Sequence, residues 1–294
     1  MLSKKSSSIL ILVFVMTIWG SIYVVTKVAL YDIPLFTFSF LRYFLAAIVL
    51  GSVWLLKKDR KLPSKKSWKY VVGMGLFGMA LYFSFFSYSM KMTTATAGAI
   101  IHAFTTMMVA IFAALFLKEK LHRFEQIGLF IATIGVLLVT YFTKTAEADA
   151  QNSFIGNLTM LVAIACWAAY TVISKRIEKE DALGVTFFSM LIGSLFLLPF
   201  AIYEYPSFAI REVSTLSWSM VIYSGIVSCA LCNFLYHYSL RQLTASQVGA
   251  FLTLDPLIGI LFAVIFLKEE ITMIQLIGGA FIFWGLYFCM KEKK

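Results

Sequence analysis

One acidic residue stands alone in an apolar stretch of this sequence. Residues 251–266 read FLTLDPLIGILFAVIF, in which Asp255 is the one charged residue and Pro256 follows it. A charged side chain at the centre of a membrane helix costs roughly 2.5–3.5 kcal/mol, so such an acid is normally paired, solvated or protonated. Proline also removes a backbone donor, which leaves the carbonyl of Leu252 free. Two chemistries fit: a site for substrate or a proton, and a carboxyl group that bonds to a neighbouring side chain or helix backbone.

Other charged or titratable residues also lie in apolar stretches. His102 can exchange a proton or hydrogen-bond a substrate, so we pair it with Asp255 as a candidate for ion coupling; a core histidine with satisfied hydrogen bonds is the alternative. Arg42 stays charged at physiological pH. It can bind a substrate carboxylate, snorkel or pair with Asp255, and we favour a structural role. Snorkelling explains Lys27 and Lys175, which lie near the ends of their apolar runs.

Aromatic residues supply candidate cavity walls. Trp19 and Trp167 lie near the middle of their apolar runs, although tryptophan is normally enriched at membrane interfaces. We expect both to line a substrate cavity, since indole rings contact apolar and cationic groups well. Packing between the two halves of the chain is the alternative. Tyr82, Asn233 and Tyr236 are further substrate-binding candidates, chosen from their spacing.

The composition identifies an integral membrane protein. The chain has 294 residues, of which 61% are hydrophobic and 14% charged, against roughly 25% charged in soluble domains. Apolar runs of about twenty residues are long enough to cross a membrane as helices, and the sequence contains ten. They cover approximately residues 8–30, 34–56, 69–90, 95–117, 124–142, 154–174, 183–204, 216–240, 245–267 and 273–290. We therefore predict an all-α fold with ten transmembrane helices.

Several function classes are disfavoured. The sequence has no phosphate-binding loop, no Ser-His-Asp ordering and no second ligand pair to match Cys229 and Cys232. We therefore expect no enzyme activity, no cofactor and no metal, and small apolar packing for the cysteines. The net charge of +10 does not indicate nucleic acid, because the basic residues lie between the spans, where they face anionic lipid.

The basic residues also predict the orientation. With the amino terminus in the cytoplasm, most loop Lys and Arg are cytoplasmic, and Lys91, Lys144, Arg211 and Lys268 are the exceptions. The positive-inside rule then places both termini in the cytoplasm. We expect a multi-pass protein of the plasma membrane.

The chain repeats itself. The tetrapeptide FLKE at 116–119 recurs 150 residues later at 266–269, and Trp19 recurs 148 residues later as Trp167. Each half holds five helices, an odd number, so the second half must enter the membrane in the opposite orientation. Inverted repeats of this kind enclose a site near the midplane and support alternating access. The predicted units are a first repeat at 1–142, an extracytoplasmic linker at 143–153 and a second repeat at 154–294.

The repeated pattern resembles a known family. Tyr-Ser-Met/Leu, then Thr-Ala-Thr/Ser, an apolar helix ending in FLKE and a glycine-containing helix occur twice. With Trp19-Gly20 and Arg42, this pattern is similar to the EamA-type transporters of the drug/metabolite transporter superfamily. The resemblance implies a central cavity lined by the first four helices of each half. Asp255-Pro256 also resembles a family feature, whereas the first half has Thr105-Thr106 without proline, which predicts a straighter fourth helix than ninth.

The resemblance also implies that the last helix of each half lies at the periphery or in a dimer contact. Gly128 and Gly135 recur as Gly278 and Gly285, a pattern that favours close helix packing. This packing lies either within the chain or between two subunits, so a homodimer is one expected partner beside membrane lipids and a small-molecule substrate.

These observations predict a secondary transporter of small metabolites, which exports amino acids or related compounds. The segments between spans are too short for an ATPase domain, so a substrate or ion gradient must drive transport. An importer, or a multidrug or cation carrier, is the alternative. Selectivity for cations would indicate binding by Asp255 and the aromatic residues, whereas selectivity for anions would indicate binding by Arg42 and His102. A membrane-embedded enzyme or receptor is a remote alternative, since it would need a nucleophile with its base or an external domain.

The topology can be tested with reporter fusions. A reporter joined after Ala148 should be active outside the cytoplasm, because five spans precede it. Fusions in the basic segment 57–69 provide the cytoplasmic control, and a cytoplasmic signal after Ala148 would refute the helix count.

Overall fold

The chain forms ten apolar helices in the residues that the structure, a computed structural model, describes: 4–118, 123–142, 150–177, 179–240 and 254–290. The helices are α1 Lys4–Ala29, α2 Leu35–Leu56, α3 Trp68–Met92, α4 Ala95–Leu117, α5 Arg123–Phe142, α6 Ala150–Lys175, α7 Ala182–Glu204, α8 at 215–240, α9 Leu254–Leu267 and α10 Met273–Met290. No strand occurs within these ranges. The predicted all-α membrane fold is confirmed.

The helix boundaries follow the hydropathy of the sequence closely. Helices α1 to α8 each contain a stretch long and apolar enough to cross a membrane, and α9 and α10 are shorter apolar helices within the described ranges. The first part of the ninth predicted run, 245–253, and the predicted linker residues 143–149 lie outside the described residues. Helix α6 begins at Ala150, so the end of the predicted linker is helical.

The main contacts between helices are symmetric with respect to the two halves: each has a counterpart in which the corresponding helices of the two halves are exchanged. Helix α1 packs on α9, as α6 packs on α4; α2 packs on α8, as α7 packs on α3. Helices α1 and α8 are in contact, as are α6 and α3, while the pairs α2–α7 and α5–α10 map onto themselves. This is the contact pattern of a pseudo-two-fold axis, and five helices in each half place that axis in the membrane plane.

Helices α3 and α8 contain π-helical segments at corresponding places in the two halves. These segments are Gly75–Leu81 and Tyr223–Leu231. At the end of the second segment the N–H of Cys232 bonds to the carbonyl of Val227, five residues earlier. Such wide turns are uncommon and are often found at functional sites.

The expected comparison of α4 with α9 falls partly on residues 245–253, outside the described ranges, but α4 itself is not continuous. Helix α4 is interrupted at Ala103 and Phe104, between an α-helix at Ala95–His102 and another at Thr105–Leu117. The hydroxyl of Thr105 donates to the carbonyl of His102 at 2.5 Å, and a side-chain bond of this kind competes with the helix backbone. Proline would interrupt a helix by removing a backbone N–H donor. Here the interruption lies beside Thr105, whose hydroxyl occupies a backbone carbonyl acceptor instead.

Helices α5 and α10 pack through small residues inside the chain. A Cβ atom added at Gly285 would collide with the carbonyl oxygen of Gly128 and would lie 2.8 Å from the Cβ of Ala132. One added at Gly278 would lie 2.5 Å from a methyl group of Val139. Close helix packing at these glycines is confirmed, and the contact is within one chain.

A substitution at Gly278 tests this packing. Gly278→Ala should destabilise the protein by about 1–3 kcal/mol, the usual cost of overpacking, because the carbonyl oxygen of Gly135 lies 2.9 Å from the added atom. Gly279→Ala is the matched control, since its nearest neighbour is a methyl group of Ile100 at 3.6 Å. Equal midpoints of thermal unfolding in detergent for the two variants would contradict the described contact.

Candidate functional site

A cavity of about 660 Å³ lies between the two halves. Its walls come from α1 to α4 and α6 to α9, which are the first four helices of each half. All eight residues selected from the sequence line it: Trp19, Arg42, Tyr82, His102, Trp167, Asn233, Tyr236 and Asp255. Residues that lie far apart in sequence and were chosen for polarity or aromaticity thus share one enclosed space.

Asp255 forms the acidic part of the cavity. Its side chain is buried, and Oδ2 lies 3.6 Å from Nδ1 of His102. The other ring nitrogen of His102 lies 3.0 Å from the hydroxyl of Tyr82. Oδ1 of Asp255 has no hydrogen-bond partner among the described residues. The His102 ring therefore lies between the carboxylate of Asp255 and the hydroxyl of Tyr82.

Local backbone structure positions this group. His102 is the last residue of the first α4 segment, directly before the interruption. Asp255 lies in the first described turn of α9, against α1 at Gly20, where an added Cβ would lie 2.9 Å from the carbonyl oxygen of Asp255. Gly20 therefore allows the close approach of α1 to α9, which gives a physical reason for the Trp19-Gly20 pair.

Aromatic rings form a continuous wall across the two halves. The Trp19 ring lies 6.5 Å from that of Trp167 in an edge-on arrangement and 5.2 Å from that of Tyr236. Trp167 in turn lies 4.9 Å from both Tyr82 and Tyr170. The two tryptophans therefore line the cavity and also pack against each other across the pseudo-two-fold axis. Their contact with a substrate stays a prediction.

The indole N–H of Trp19 is also bonded. It donates to the carbonyl oxygen of Ser228 at 3.2 Å, within the π segment of α8. Asn233, one turn further along α8, donates from its side chain to the carbonyl of Cys229 at 2.7 Å. The wide turn thus places backbone acceptors beside the cavity.

Arg42 is buried, at 4% exposure, in the part of the cavity wall formed by α2. Its Nε and Nη2 donate to the sulfur of Cys229 at 3.2 and 3.0 Å, and its guanidinium carbon lies 3.6 Å from the centre of the Phe83 ring. Snorkelling is excluded by this burial, and Asp255 is paired with His102 instead. The arginine joins α2, α3 and α8, which supports a structural role, while Nη1 lacks a partner among the described side chains and backbone groups.

Some wall residues escaped the sequence interpretation. Tyr23 and Tyr170 are buried and line the cavity. Tyr23 follows Trp19 by four residues and Tyr170 follows Trp167 by three, so each shares a helix face with a tryptophan. This spacing was a usable signal. No such spacing could predict that the sulfur of Cys229 accepts the hydrogen bonds of Arg42, because the cysteine lies on another helix.

The cavity extends towards the face on which α6 ends. Its lining includes Ser174, Lys175, Ile177 and Glu180, at the end of α6 and in the turn to α7. With five helices in each half, this is also the face of both chain termini. In the described ranges no group of three or more His, Cys, Asp or Glu side chains is arranged to hold a metal ion.

Comparison with known proteins agrees with this architecture. The family model described as the EamA-like transporter family matches residues 6–141 and again residues 154–290. The uncharacterized transporter YetK of Bacillus subtilis is 27% identical, and the match covers 100% of this chain and 90% of that protein. An uncharacterized transporter of Archaeoglobus fulgidus is 27% identical, over 96% and 97% of the two chains.

A solved crystal structure of another protein has the same fold. It matches with a TM-score of 0.68 at 17% identity, over 97% of this chain and 98% of its own. Because the family model matches both halves, and so most of the sequence, the chain belongs to the EamA-like transporter family.

Proposed function

We propose that this protein is a secondary transporter that exports amino acids or related small metabolites from the cytoplasm by alternating access. The observation that supports the proposal best is the cavity itself, which is enclosed by the first four helices of both halves. Its volume of about 660 Å³ is within the usual range of small-molecule sites, about 300–1,000 Å³.

The distribution of charge favours a zwitterionic substrate. Asp255 would pair with an ammonium group and Arg42 with a carboxylate, since both residues line the cavity and Oδ1 of the first and Nη1 of the second lack a hydrogen-bond partner among the described residues. Both atoms are covered by protein in this structure, so the side chains must turn towards the substrate when it binds. A charge buried without a partner is costly, so a substrate with both charges would satisfy two groups at once. The rings of Trp19 and Trp167 would contact its apolar part.

Asp255 and His102 are the proposed coupling residues. Their side chains lie 3.6 Å apart in the cavity, so a proton taken up from one side of the membrane can be shared between them and released on the other. The basic loops favour a cytoplasmic position for both termini, and the cavity extends towards the face of the termini. Both observations support loading from the cytoplasm of a multi-pass protein in the plasma membrane.

A carrier of organic cations is the second candidate. Asp255 and the rings of Trp19, Trp167 and Tyr236 line the same cavity, and aromatic faces attract ammonium groups. Stabilisation of the purified protein by a panel of amino acids, and of the amines that lack their carboxylates, would separate the candidates. Stabilisation by amines alone would favour the cation carrier, and counterflow of the best ligands in proteoliposomes would then test transport itself.

Asp255→Asn tests the coupling role. We expect counterflow to fall about ten-fold, equivalent to about 1.4 kcal/mol, and to lose its dependence on pH, because an amide cannot exchange a proton. The control is Asp59→Asn, which changes an exposed acid between α2 and α3. Wild-type flux at every pH in Asp255→Asn would remove this residue from the mechanism.

Arg42→Lys tests the structural role of the guanidinium. The charge is kept, but the planar fork that bonds to Cys229 and stacks on Phe83 is lost. We expect a lower midpoint of thermal unfolding, because a hydrogen bond to a charged group contributes about 1.5–3 kcal/mol.

The matched control is Arg176→Lys. The guanidinium of Arg176 donates to the carbonyl of Phe116 in an exposed position, so its loss should have little effect on stability. If the two variants unfold at the same temperature, Arg42 does not hold the three helices together.

A further inference from the structure

A charged network closes the end of the cavity opposite the termini. Nζ of Lys27, in the last turn of α1, lies 2.9 Å from Oε1 of Glu269, two residues after α9. The same carboxylate accepts from the backbone N–H groups of Ala95 and Thr96 at 2.9 and 2.8 Å. One side chain from the second half therefore joins the end of α1 to the start of α4, and Lys27 is bonded rather than snorkelling.

The surroundings of Glu269 favour its ionised form. Burial alone would raise the pKa of Glu269, but Lys27 and the N–H groups of Thr96 and Ala95 hold this pKa below its ordinary value. The amino-terminal end of a helix also favours an anion. Glu269 therefore stays ionised near neutral pH, and the network opens by movement of the helices rather than by protonation of this acid.

The three helices that meet here all line the cavity. On α1 the lining residues end at Tyr23, one turn before Lys27. The Tyr23 ring is buried against α9, where a Cβ added at Gly259 would lie 2.6 Å from it. Thr96 is also fully buried. For the cavity to reach this face, α1, α4 and α9 must separate, and the bonds of Glu269 are polar contacts that oppose the separation.

A second kind of acidic contact is formed on both faces. In the turn after α1, Asp32 accepts from the hydroxyls of Ser214 and Ser217 at the start of α8, at 2.5 and 2.6 Å. In the turn after α6, Glu180 accepts from the hydroxyl of Ser67 at 2.6 Å, at the start of α3. These contacts correspond in the two repeats.

The Asp32 and Glu180 contacts correspond in the two repeats, and both are formed. Such a pair gives no indication of which face of the membrane is open. In an inverted-repeat transporter the two end states are related by exchange of the conformations of the halves. If two equivalent contacts are both formed in the inward-open state, this exchange leaves both of them formed in the outward-open state. The Asp32 and Glu180 contacts therefore have the properties of fixed joints. The Glu269 network lies at the end of α1, α4 and α9 that the lining of the cavity does not reach.

We propose that Lys27, Glu269 and the first turn of α4 form the gate on the face where α1 ends, while the Asp32 and Glu180 contacts persist through the cycle. This inference rests on the proposed alternating access. Its specific content is that the rate of opening to that face is set by the Glu269 network and not by the Asp32 contact on the same face.

Accessibility of a cavity residue to a membrane-impermeant thiol reagent tests the gate without knowledge of the substrate. The native cysteines Cys166, Cys229, Cys232 and Cys289 are replaced by serine, and Ile22→Cys is introduced as the reporter in α1. Trimethylammonium-ethyl methanethiosulfonate is applied to intact cells and to inverted vesicles. We expect Lys27→Gln and Glu269→Gln each to raise the labelling rate from the face where α1 ends by about five-fold or more, the lower range of site coupling.

Two controls keep the test specific. Glu270→Gln changes the adjacent exposed acid, and Asp32→Asn weakens a fixed joint; both should leave the labelling rate within about two-fold, below the usual range of coupling. If Glu269→Gln does not fold, Lys27→Gln decides, because it keeps the carboxylate on α4. An unchanged rate in Lys27→Gln, or an equal increase in Asp32→Asn, overturns the gate.

A second reporter separates failure of the gate from failure of the proposed function. Ser174→Cys, at the α6 end of the cavity, should be labelled from the face of the termini. If Ser174→Cys reacts but Ile22→Cys is never labelled from the opposite face in any variant, the cavity does not open there, and both alternating access and its gate are refuted. Labelling of Ile22→Cys at one rate in all variants refutes the gate alone.

Discussion

The cost of placing charge in a hydrocarbon environment governs this structure. Asp255 and Arg42 are both buried among membrane helices, where an ionised group without partners is expensive. Their surroundings reduce that cost with what nearby helices provide: an imidazole for the acid, a thiol and an aromatic face for the guanidinium. Neither set of contacts is complete among the described residues. Both residues also line the cavity, so the proposed function and the cost of burying these charges depend on the same place in the fold.

The duplicated architecture explains how such a cavity is enclosed. Each half contributes four helices to the wall, and its fifth helix packs against the fifth helix of the other half through glycines. The outer pair thus ties the halves together without occupying the centre. At the centre, Trp19 and Trp167 meet edge-on across the pseudo-two-fold axis. This arrangement lets the same residue type from both repeats serve one binding space.

Much of this organisation was predictable from the sequence. Helix boundaries follow from local hydropathy, and the cavity residues follow from polar or aromatic side chains at unexpected depth. The sequence did not indicate which side chains contact each other when they lie far apart along the chain. The sulfur of Cys229 and the carboxylate of Glu269 lie on helices distant in sequence from Arg42 and Lys27. The interruption of α4 had no signal in the sequence, because proline was the only source of helix breaks considered, whereas here the hydroxyl of Thr105 donates to the carbonyl of His102.

Because of the wide turn in α8, the number of residues in that helix determines which side chains face the cavity, in addition to the residue types. The π segment Tyr223–Leu231 precedes Asn233 and Tyr236. Removing one residue from it would restore ordinary helical geometry and turn everything beyond by about 100° around the helix axis. Both side chains would then leave the binding space although neither had been substituted. Among related chains, a single-residue gap at this point would therefore signal a differently built pocket.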